Sequence, residues 1–532
     1  MRKTREVIVK IHKLRAQAPG RPALRAVALA CFAVLSAPAW AQVAEQSEVR
    51  DGSVNAEGGP RRTVLISPAI STGVLITNNG TQTPTPRSEQ ILEVSPGVRA
   101  IINSARAKGF FDYSLSAQYR LQGTSGDYLR NQLNTAMTFE ALGDRVFVDV
   151  SGVVGDETVS AFNTQALRPV DANRSRTTNF RVSPYVRGTF GNANTYELRY
   201  GLERATTSTD ERSDVNVQDI SLSMASDMTG RRFGWSLFAL TQETEYSLSR
   251  NTRSDQVLAG LNYAATPQLL LTLQAGTESN DVLTANRESY SITGLNADWR
   301  PSNRTRMVAG VQRRYFGNGH NVLFEHRTAA TVWRYSDTRD AVNNPLDSGA
   351  TLGSVYSQLE NFYAGEPDPV IRAQLIQEAL LARGLPADAA AFNTVLTSSA
   401  TLVRAQQLSL ALLGPRDAIT FLLLRTTSSR LGPAPTLGDD FNLSQQIDQR
   451  SWSVNYSHRI TPLTTYTLGM ARLRNDGAVA GLSNRLNVFT TGLITRLGLR
   501  TTGAVQLQRS VYDQVGAPYS ETAISANITH RF

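Results

Sequence analysis

Cysteine is almost absent from this 532-residue chain, and its single copy, Cys31, lies near the N-terminus. With one thiol the chain cannot form an internal disulfide, and a metal or redox site built from several cysteines is excluded. Long apolar runs are missing as well, because no window approaches the ~18–20 apolar residues that a membrane helix needs. A polytopic α-helical membrane protein is therefore excluded.

Lysine is also scarce, and the net charge of +9 is confined to one end of the chain. Residues 1–41 hold eight basic residues against a single acidic one, Glu6, so the rest of the chain has 46 basic and 44 acidic residues. Lys108 is the only lysine in that remainder. A surface this close to neutral does not predict a nucleic-acid partner.

The N-terminal 41 residues have the three-part layout of a secretory signal peptide. A basic stretch over 1–25 precedes an apolar core over 26–35, and Ala39-Trp40-Ala41 supplies small residues at positions −3 and −1. We expect cleavage near Ala41, which removes Cys31 from the mature protein. Residues 42–62 are polar and contain Gly, and they are predicted to form a periplasmic linker.

From residue 63 onward the chain alternates between apolar and polar residues in segments of about ten. One such segment places six apolar side chains on one face: Phe111, Tyr113, Leu115, Ala117, Tyr119 and Leu121. Because successive side chains of a strand point to opposite faces, this period predicts strands with one apolar and one polar face. A soluble β-protein and a transmembrane barrel both use such strands.

Three features favour the barrel. Aromatic residues recur near the predicted strand ends, as in the girdles at the two membrane interfaces. Charged residues recur in the middle of the polar faces. The chain ends on an alternating strand that stops at Phe532. This ending resembles the signal by which outer-membrane barrels are recognised for insertion, so Phe532 is predicted to be a membrane-insertion signal read by the barrel-assembly machinery.

The spacing predicts an all-β fold, a transmembrane antiparallel β-barrel of about 20 strands (range 16–20) with a helical insert. Barrel strands 1–14 are expected over 63–335, and strands 15–20 over 416–532. The predicted connections after odd strands are mostly long and those after even strands are short. Outer-membrane barrels have short periplasmic turns and long outer loops, so even-to-odd connections are expected in the periplasm of a Gram-negative cell, with the barrel in the outer membrane.

Residues 336–415 interrupt the alternation and are predicted to be a helical insert. Asp368-Pro369 has the pattern of a helix N-cap followed by Pro at the first helical position. Leu402, Ala405, Leu408 and Leu412 recur at helical spacing. The insert is expected to join an even strand to an odd one, in the periplasm or inside the barrel mouth. It is interpreted as a spacer, a plug or a docking module.

The segment from Gln406 to Phe421, with Gly414-Pro415-Arg416 at its centre, resembles a motif of the outer-membrane β-barrel family of the PEP-CTERM/exosortase system. Ser95-Pro96-Gly97 and the terminal Phe532 also fit that family. The resemblance implies an outer-membrane location and an association with exopolysaccharide production and surface-protein sorting. It implies no catalytic activity and no cofactor, and it transfers no functional residues.

Catalytic chemistry finds little support in the residues. The only adjacent Ser/His pair, Ser457-His458, lies in a predicted strand, where neighbouring side chains point apart. His320 and His326 could share a strand face near Asp337, which leaves a barrel-embedded hydrolase as a weaker alternative. Asp439-Asp440 and Glu366-Pro367-Asp368 lack regular ligand spacing, so loop or cap roles are expected there rather than a metal site.

Arginines on the predicted inward faces are the candidate lumen-lining residues. They are Arg120, Arg181, Arg187, Arg199, Arg306, Arg314 and Arg459. As unpaired cations they would attract anionic sugars. Asp112, Asp149, Glu197, Glu203 and Glu278 could instead pair with them as cross-strand salt bridges. The second interpretation is favoured.

These observations predict a non-catalytic outer-membrane barrel that serves exopolysaccharide export or surface assembly as a conduit or scaffold. Its expected partners are outer-membrane lipid, the barrel-assembly machinery, an anionic polysaccharide and periplasmic export components. A general diffusion porin is the alternative, although a porin is expected to constrict itself with an outer loop. A TonB-dependent transporter is not expected, because 42–62 leave no room for an N-terminal plug domain.

Overall fold

The computed structural model describes residues 63–123, 126–165, 173–191, 194–209, 212–342, 397–433 and 439–532. The predicted signal peptide, the predicted linker and residues 343–396 of the predicted insert lie outside the described residues. Within these described ranges, helices with the length and apolar character of a membrane span do not occur.

Twenty-two antiparallel strands form one closed sheet in which each strand pairs with the next along the chain. The last strand returns to the first, from Ala69 opposite Arg531 to Thr77 opposite Ala523. The strands are β1 Val64–Thr77, β2 Glu89–Asn103, β3 Ala107–Gln122, β4 Tyr128–Leu142, β5 Val146–Thr158, β6 Arg174–Phe190, β7 Asn194–Thr207, β8 Val215–Ser226, β9 Phe233–Tyr246, β10 Thr252–Thr266, β11 Leu269–Asn280, β12 Glu288–Ser302, β13 Thr305–Arg314, β14 Gly317–Arg327, β15 Thr331–Val342, β16 Thr401–Leu413, β17 Asp417–Arg430, β18 Gln446–Arg459, β19 Thr464–Gly477, β20 Ser483–Arg496, β21 Thr501–Gln514 and β22 Tyr519–Arg531. Among the described residues, one short helix, α1 Asp440–Leu443, precedes β18.

The two faces of the barrel wall follow the period-two pattern of the sequence. In β7, the exposed side chains of Leu198, Tyr200 and Leu202 alternate with Glu197 and the buried Glu203. The same alternation of exposed Leu, Val, Ile and aromatic residues on one face recurs around the barrel. An apolar outer face and a polar inner face are the pattern of a barrel that contacts lipid. The prediction of an all-β antiparallel barrel is confirmed.

The number of strands exceeds the predicted range of 16–20 by two. The last of the fourteen strands expected over 63–335 is divided by a turn at Thr328–Thr331, where Thr331 and Ala330 donate backbone N–H groups to Thr328 Oγ1. This turn separates β14 from β15. The prediction failed here because the turn contains neither Gly nor Pro, the two residues that mark most turns in a sequence.

The helical prediction for residues 402–412 is wrong, because this segment is β16. Its backbone pairs in register with β15 and β17 along its full length, from Thr401 opposite Val342 to Leu412 opposite Thr331. Apolar residues occupy both faces of its C-terminal half, which blurs the period of two and resembles helical spacing. The helical insert is not confirmed, and its remaining predicted helices lie outside the described residues.

The position of this segment in the strand order also differs from the expectation. Connections after even strands are two to six residues long. After odd strands, the β1–β2, β5–β6 and β17–β18 connections have 11 to 15 residues, and residues 343–400 separate β15 from β16. The chain leaves the barrel at Val342, the end of an odd strand, and returns at Thr401. The expectation that this connection joins an even strand to an odd one is therefore wrong, whereas its predicted periplasmic location stays a prediction. The segment departs from the end that carries the long connections, here called the long-connection end.

Candidate functional site

Most of the arginines predicted to line the lumen are paired with carboxylates on the face opposite the exposed apolar residues. Arg120 Nε lies 3.3 Å from Glu89, Arg306 Nη2 lies 3.0 Å from Asp298, and Arg314 Nη2 lies 2.7 Å from Glu278. Pairs of this kind stiffen the wall but leave little free positive charge. Their lumen-lining role stays a prediction.

Arg181 joins three neighbouring strands through its ion pairs. Its Nη1 lies 3.0 Å from Glu203 on β7, and its Nη2 lies 2.6 Å from Asp219 on β8. Gly201 lies between them on β7, and a Cβ at this position would overlap with both Asp219 and Arg181. The absence of a side chain at Gly201 therefore allows the guanidinium to reach across its strand.

Two other arginines stack on aromatic rings. Arg199 lies 4.0 Å above the ring of Tyr185 and pairs with Asp149 at 2.7 Å and Glu197 at 3.0 Å. Arg187 lies 4.1 Å above the ring of Phe147.

Arg187 and Arg459 have no carboxylate partner among the described residues, unlike the other predicted lumen-lining arginines. Arg187 is nevertheless held by its stacking on an aromatic ring. Arg459 lies at the last position of β18, at the end with the short connections.

Beside Arg187, the inner wall contains a groove of about 590 Å³. Two register rows build it, and each row crosses neighbouring strands at directly paired positions. The charged row consists of Arg187, Glu197, Ser223, Phe238 and Leu258. The hydroxyl row consists of Thr189, Thr195, Ala225, Ser236, Gly260 and Gln274. A groove of this volume is within the range of sites for small ligands.

The groove combines three kinds of contact. Phe238 and Leu258 form an apolar surface, whereas the hydroxyl row offers hydroxyl and amide groups that donate and accept hydrogen bonds. The charge is nearly balanced: Glu197 opposes Arg187 and is itself paired with Arg199. The carboxylate of Asp144 also lines the groove. Such a site favours a molecule that has both C–H faces and hydroxyl groups over a highly charged one.

At the long-connection end, the β5–β6 connection folds into the barrel and reaches the inner wall on the far side. The Nδ2 atoms of Asn475 and Asn484 donate to the Ala161 carbonyl at 2.9 and 2.7 Å. Gln514 Nε2 donates to the Phe162 carbonyl at 2.6 Å. Further along the same connection, Tyr512 donates to the carbonyl of Asn163 at 3.0 Å and Tyr519 to that of Gln165 at 2.6 Å. Residues 159–165 are here called the crossing segment, because they connect β5 to the wall formed by β19–β22.

The crossing segment also meets the β17–β18 connection. Asp440 accepts hydrogen bonds from Ser160 Oγ and from the Ala161 backbone N–H, both at 2.6 Å. Phe162 packs with Phe441 and Ile447 in a buried apolar cluster. Burial raises the pKa of the Asp440 carboxyl, although these hydrogen bonds and the charge of Arg212 act in the opposite direction. Two connections from nearly opposite sides of the barrel thus join across its long-connection end.

Among the residues considered for catalysis and metal binding, Glu366-Pro367-Asp368 lie outside the described residues, while Asp439 and His320 contact other side chains or backbone groups. Asp439 caps α1 by accepting from the Phe441 backbone N–H, which agrees with the predicted cap role. His320 Nε2 lies 2.9 Å from Asp337, which Arg404 also contacts at 2.7 Å. These groups share the outer face, away from the groove. Clusters of three or more potential metal ligands do not occur in the described ranges.

Sequence reasoning missed the crossing segment and the groove. Ser160 and Asp440 form a hydrogen bond although they are 280 positions apart in the chain. Phe162 and Phe441 pack together across a similar separation. No local pattern marks such a contact. The hydroxyl row has a weak local signal, namely Thr, Ser or Gly at the ends of successive strands.

Comparisons with known proteins find likenesses in structure only. No family model matches the chain, and no curated protein matches it. The FrpB iron transporter from Neisseria meningitidis has a TM-score of 0.48 at 8% identity, with 88% of this chain and 81% of that chain covered. The siderophore receptor PirA from Pseudomonas aeruginosa has a TM-score of 0.43 at 9% identity, with 88% and 80% covered. The ferric-catecholate import receptor Fiu from E. coli K12 has a TM-score of 0.47 at 8% identity, with 87% and 81% covered. No conclusion about cargo follows from these likenesses.

Proposed function

We propose that this chain is an outer-membrane conduit for an uncharged saccharide chain, in exopolysaccharide export or surface assembly. The groove beside Arg187 is the observation that carries the proposal. A pyranose ring has apolar C–H faces and a rim of hydroxyl groups. Phe238 and Leu258 match the faces, while Thr189, Ser236 and other members of the hydroxyl row match the rim.

The ion pairs of the inner wall support an uncharged cargo over an anionic one. Arg181, Arg199 and Arg314 each contact two carboxylates, so their charge is compensated within the wall. A polyanion would have to compete with these carboxylates for every guanidinium. An uncharged chain forms hydrogen bonds with the wall and does not compete with the carboxylates for the guanidinium groups.

The crossing segment supports a conduit that this segment obstructs at the long-connection end and that conducts only when the segment moves. Its contacts with β19–β22 and with Asp440 lie at the long-connection end, whereas the groove lies towards the opposite end. The apolar outer face supports an outer-membrane location, reached through the predicted signal peptide and the barrel-assembly machinery. Partners from a periplasmic export system would then deliver the chain to the open end.

The proposal is tested by planar-bilayer conductance of the refolded mature protein with cellohexaose as the probe. We expect cellohexaose to block the current from the short-connection side, and hexagalacturonate to block it more weakly. Ala225→Leu is expected to weaken the block by cellohexaose roughly tenfold, since the larger side chain occupies the groove and covers the hydroxyl groups beside it. Ala504→Leu, on the inner face of β21, is the matched control. Equal block of both variants would contradict the proposal.

A general diffusion porin is the second candidate, and the crossing segment is the observation that favours it. A loop that folds into the barrel and narrows it is the feature expected of a porin. A porin is expected to conduct without any opening step and to show no preference between cellohexaose and an uncharged polymer of equal size. Size-dependent block alone would therefore favour the porin.

A further inference from the structure

Four arginines occupy one row across four neighbouring strands. Arg425 pairs in register with Arg450, Arg450 with Arg474, and Arg474 with Arg485. These residues of β17, β18, β19 and β20 are here called the arginine row. Like charges at directly opposite positions destabilise a sheet. The row therefore lowers the stability of the barrel unless anions compensate for it.

Two members of the row have only partial compensation from the protein. Arg425 Nη2 lies 3.7 Å from Asp448, and Arg474 Nε lies 2.8 Å from Asp476. Both arginines keep about half of their side chains exposed, at 50% and 47%. Exposed pairs of this kind contribute little to stability, and the outward guanidinium edges stay available to other anions.

The charges of the other two members of the arginine row are not compensated by carboxylates within the described part of the chain. Arg450 and Arg485 make no ion pair there, and the Nε atom of Arg485 is buried without a hydrogen-bond partner. Asp513 is paired with Arg485 in the β20–β21 register, yet the two groups form no ion pair. A buried donor without an acceptor costs free energy. An acceptor from outside the protein would remove this cost.

The arginine row lies on the outer face, at the polar edge of the apolar belt. Trp452 is two positions from Arg450 along β18, and the exposed Leu423 is two positions from Arg425 along β17, both towards the middle of the barrel. On the other side of the row, the chain continues into the connections at the long-connection end. A tryptophan followed outward by a cation is the order found at a membrane interface.

We infer that the arginine row binds the phosphate groups of a phosphorylated glycolipid in the leaflet at the long-connection end. Arginine forks bind phosphate oxygens in pairs, and one phosphate can contact two guanidinium groups at once. Two phosphates on one lipid would compensate for adjacent members of the row.

The test measures binding of bisphosphorylated lipid A to the full-length mature barrel in detergent, by native mass spectrometry. Arg450→Gln/Arg485→Gln is expected to weaken binding at least tenfold, because charge-assisted hydrogen bonds to both guanidinium groups are lost. The control is Arg204→Gln/Arg313→Gln, which removes two exposed outer-face arginines of β7 and β13 near the same end. This control is expected to bind lipid A as the parent does.

A second measurement separates lipid binding from folding and from free phosphate. Without lipid, Arg450→Gln/Arg485→Gln is expected to raise the unfolding temperature above that of the parent, since it removes like-charge repulsion. With lipid A, the parent is expected to have the higher unfolding temperature of the two. Equal binding of lipid A by the two double variants contradicts the inference. It is also contradicted if dephosphorylated lipid binds equally well, or if inorganic phosphate alone stabilises the parent as much as lipid A does.

Discussion

Asp440 accepts a hydrogen bond of 2.6 Å from the hydroxyl of Ser160, although the two residues belong to connections on nearly opposite sides of a 22-stranded barrel. The contact is buried on both sides, and the backbone N–H of Ala161 reinforces it. It is the polar half of a joint whose apolar half is Phe162 packed on Phe441. This joint holds the crossing segment in place.

The first prediction concerns this joint. Asp440→Ala removes both carboxylate oxygens and leaves the Ser160 hydroxyl and the Ala161 backbone N–H without buried acceptors. The free energy that stabilises the joint should therefore fall by about 1–3 kcal/mol. We expect a higher conductance in planar bilayers, because the crossing segment no longer stays across the barrel. Asp227→Ala is the control, since Asp227 accepts from Thr229 in an exposed turn at the other end. An unchanged conductance in Asp440→Ala would show that the joint does not limit the passage.

The second prediction concerns the pH dependence of the same joint. Burial raises the pKa of Asp440 above its ordinary value, with Asp439 acting in the same direction and Arg212 in the opposite one. A carboxyl whose pKa is raised in the joined state stabilises that state fully below its ordinary pKa, and this contribution is lost as the pH rises through the raised pKa. Conductance should therefore increase as the pH rises from below the ordinary pKa of an aspartate carboxyl through the raised pKa of Asp440.

Asp440→Asn provides the matched test of that pH dependence. The amide keeps one acceptor and cannot ionise, so the joint should persist and the conductance should become insensitive to pH in the acidic range. If Asp440→Asn titrates as the parent does, another group controls the joint.

The third prediction concerns the ion pairs of Arg181. Gly201→Ala places a Cβ where Arg181 and Asp219 now meet, so the guanidinium must withdraw and leave Asp219 buried without its partner. We expect a loss of about 1–3 kcal/mol in the free energy of unfolding, measured by heat-modified gel mobility in detergent. Gly155→Ala on β5 meets open space and is expected to be neutral or slightly stabilising. Equal effects of the two substitutions would argue against the packing explanation.

The fourth prediction tests whether residues 401–413 form a strand. The mature protein is expected to lack cysteine, so single cysteines can be introduced without background. Cysteines at Leu408 and Leu410, on the outer face, should resist a charged thiol reagent in liposomes, whereas cysteines at Gln407 and Ser409 should react. A repeat of three to four residues in the labelling pattern would favour the helix instead.

The fifth prediction concerns the C-terminus. The backbone N–H of Phe532 donates to the Pro68 carbonyl at 3.0 Å, and its ring packs edge-on against His530 at 5.0 Å. Deletion of Phe532 is expected to lower the amount of heat-modifiable barrel in outer-membrane fractions several-fold, because it removes both the predicted insertion signal and this contact. Val515→Ala, in an exposed connection, is the control. Normal assembly without Phe532 would remove the support for an insertion signal.

The sequence predicted the wall of the barrel better than its ends. Alternation such as that of Phe111 and Asp112 is a local property, so the strands and their faces could be placed from it. The pairing of Arg199 with Asp149 and Glu197 agrees with the favoured structural interpretation of the arginines. Glu197 lies two positions from Arg199 on the same face of β7, and Asp149 contacts Arg199 from β5.

The missed features depend on contacts that no local pattern contains. The turn between β14 and β15 contains no Gly or Pro that would mark it in the sequence, because the hydroxyl of Thr328 accepts the backbone hydrogen bond that holds the turn. Apolar residues on both faces of β16 concealed its period. The joint between Ser160 and Asp440 results from the closure of the whole barrel. The failure at Thr328 is one of local turn chemistry, whereas the other two come from tertiary structure that decides between locally equivalent patterns.

The pairing of β1 with β22 has a consequence for how the molecule is made. Thr77 lies opposite Ala523, so this seam has by far the largest sequence separation of any strand pair in the barrel. Contacts of such separation form late, since the entropy of closing the intervening chain must be overcome first. Until then, the growing sheet has two open edges that can pair with any other extended chain. The nascent protein is thus most vulnerable to aggregation just before its last strand arrives, and a chaperone that covers those edges would protect it then.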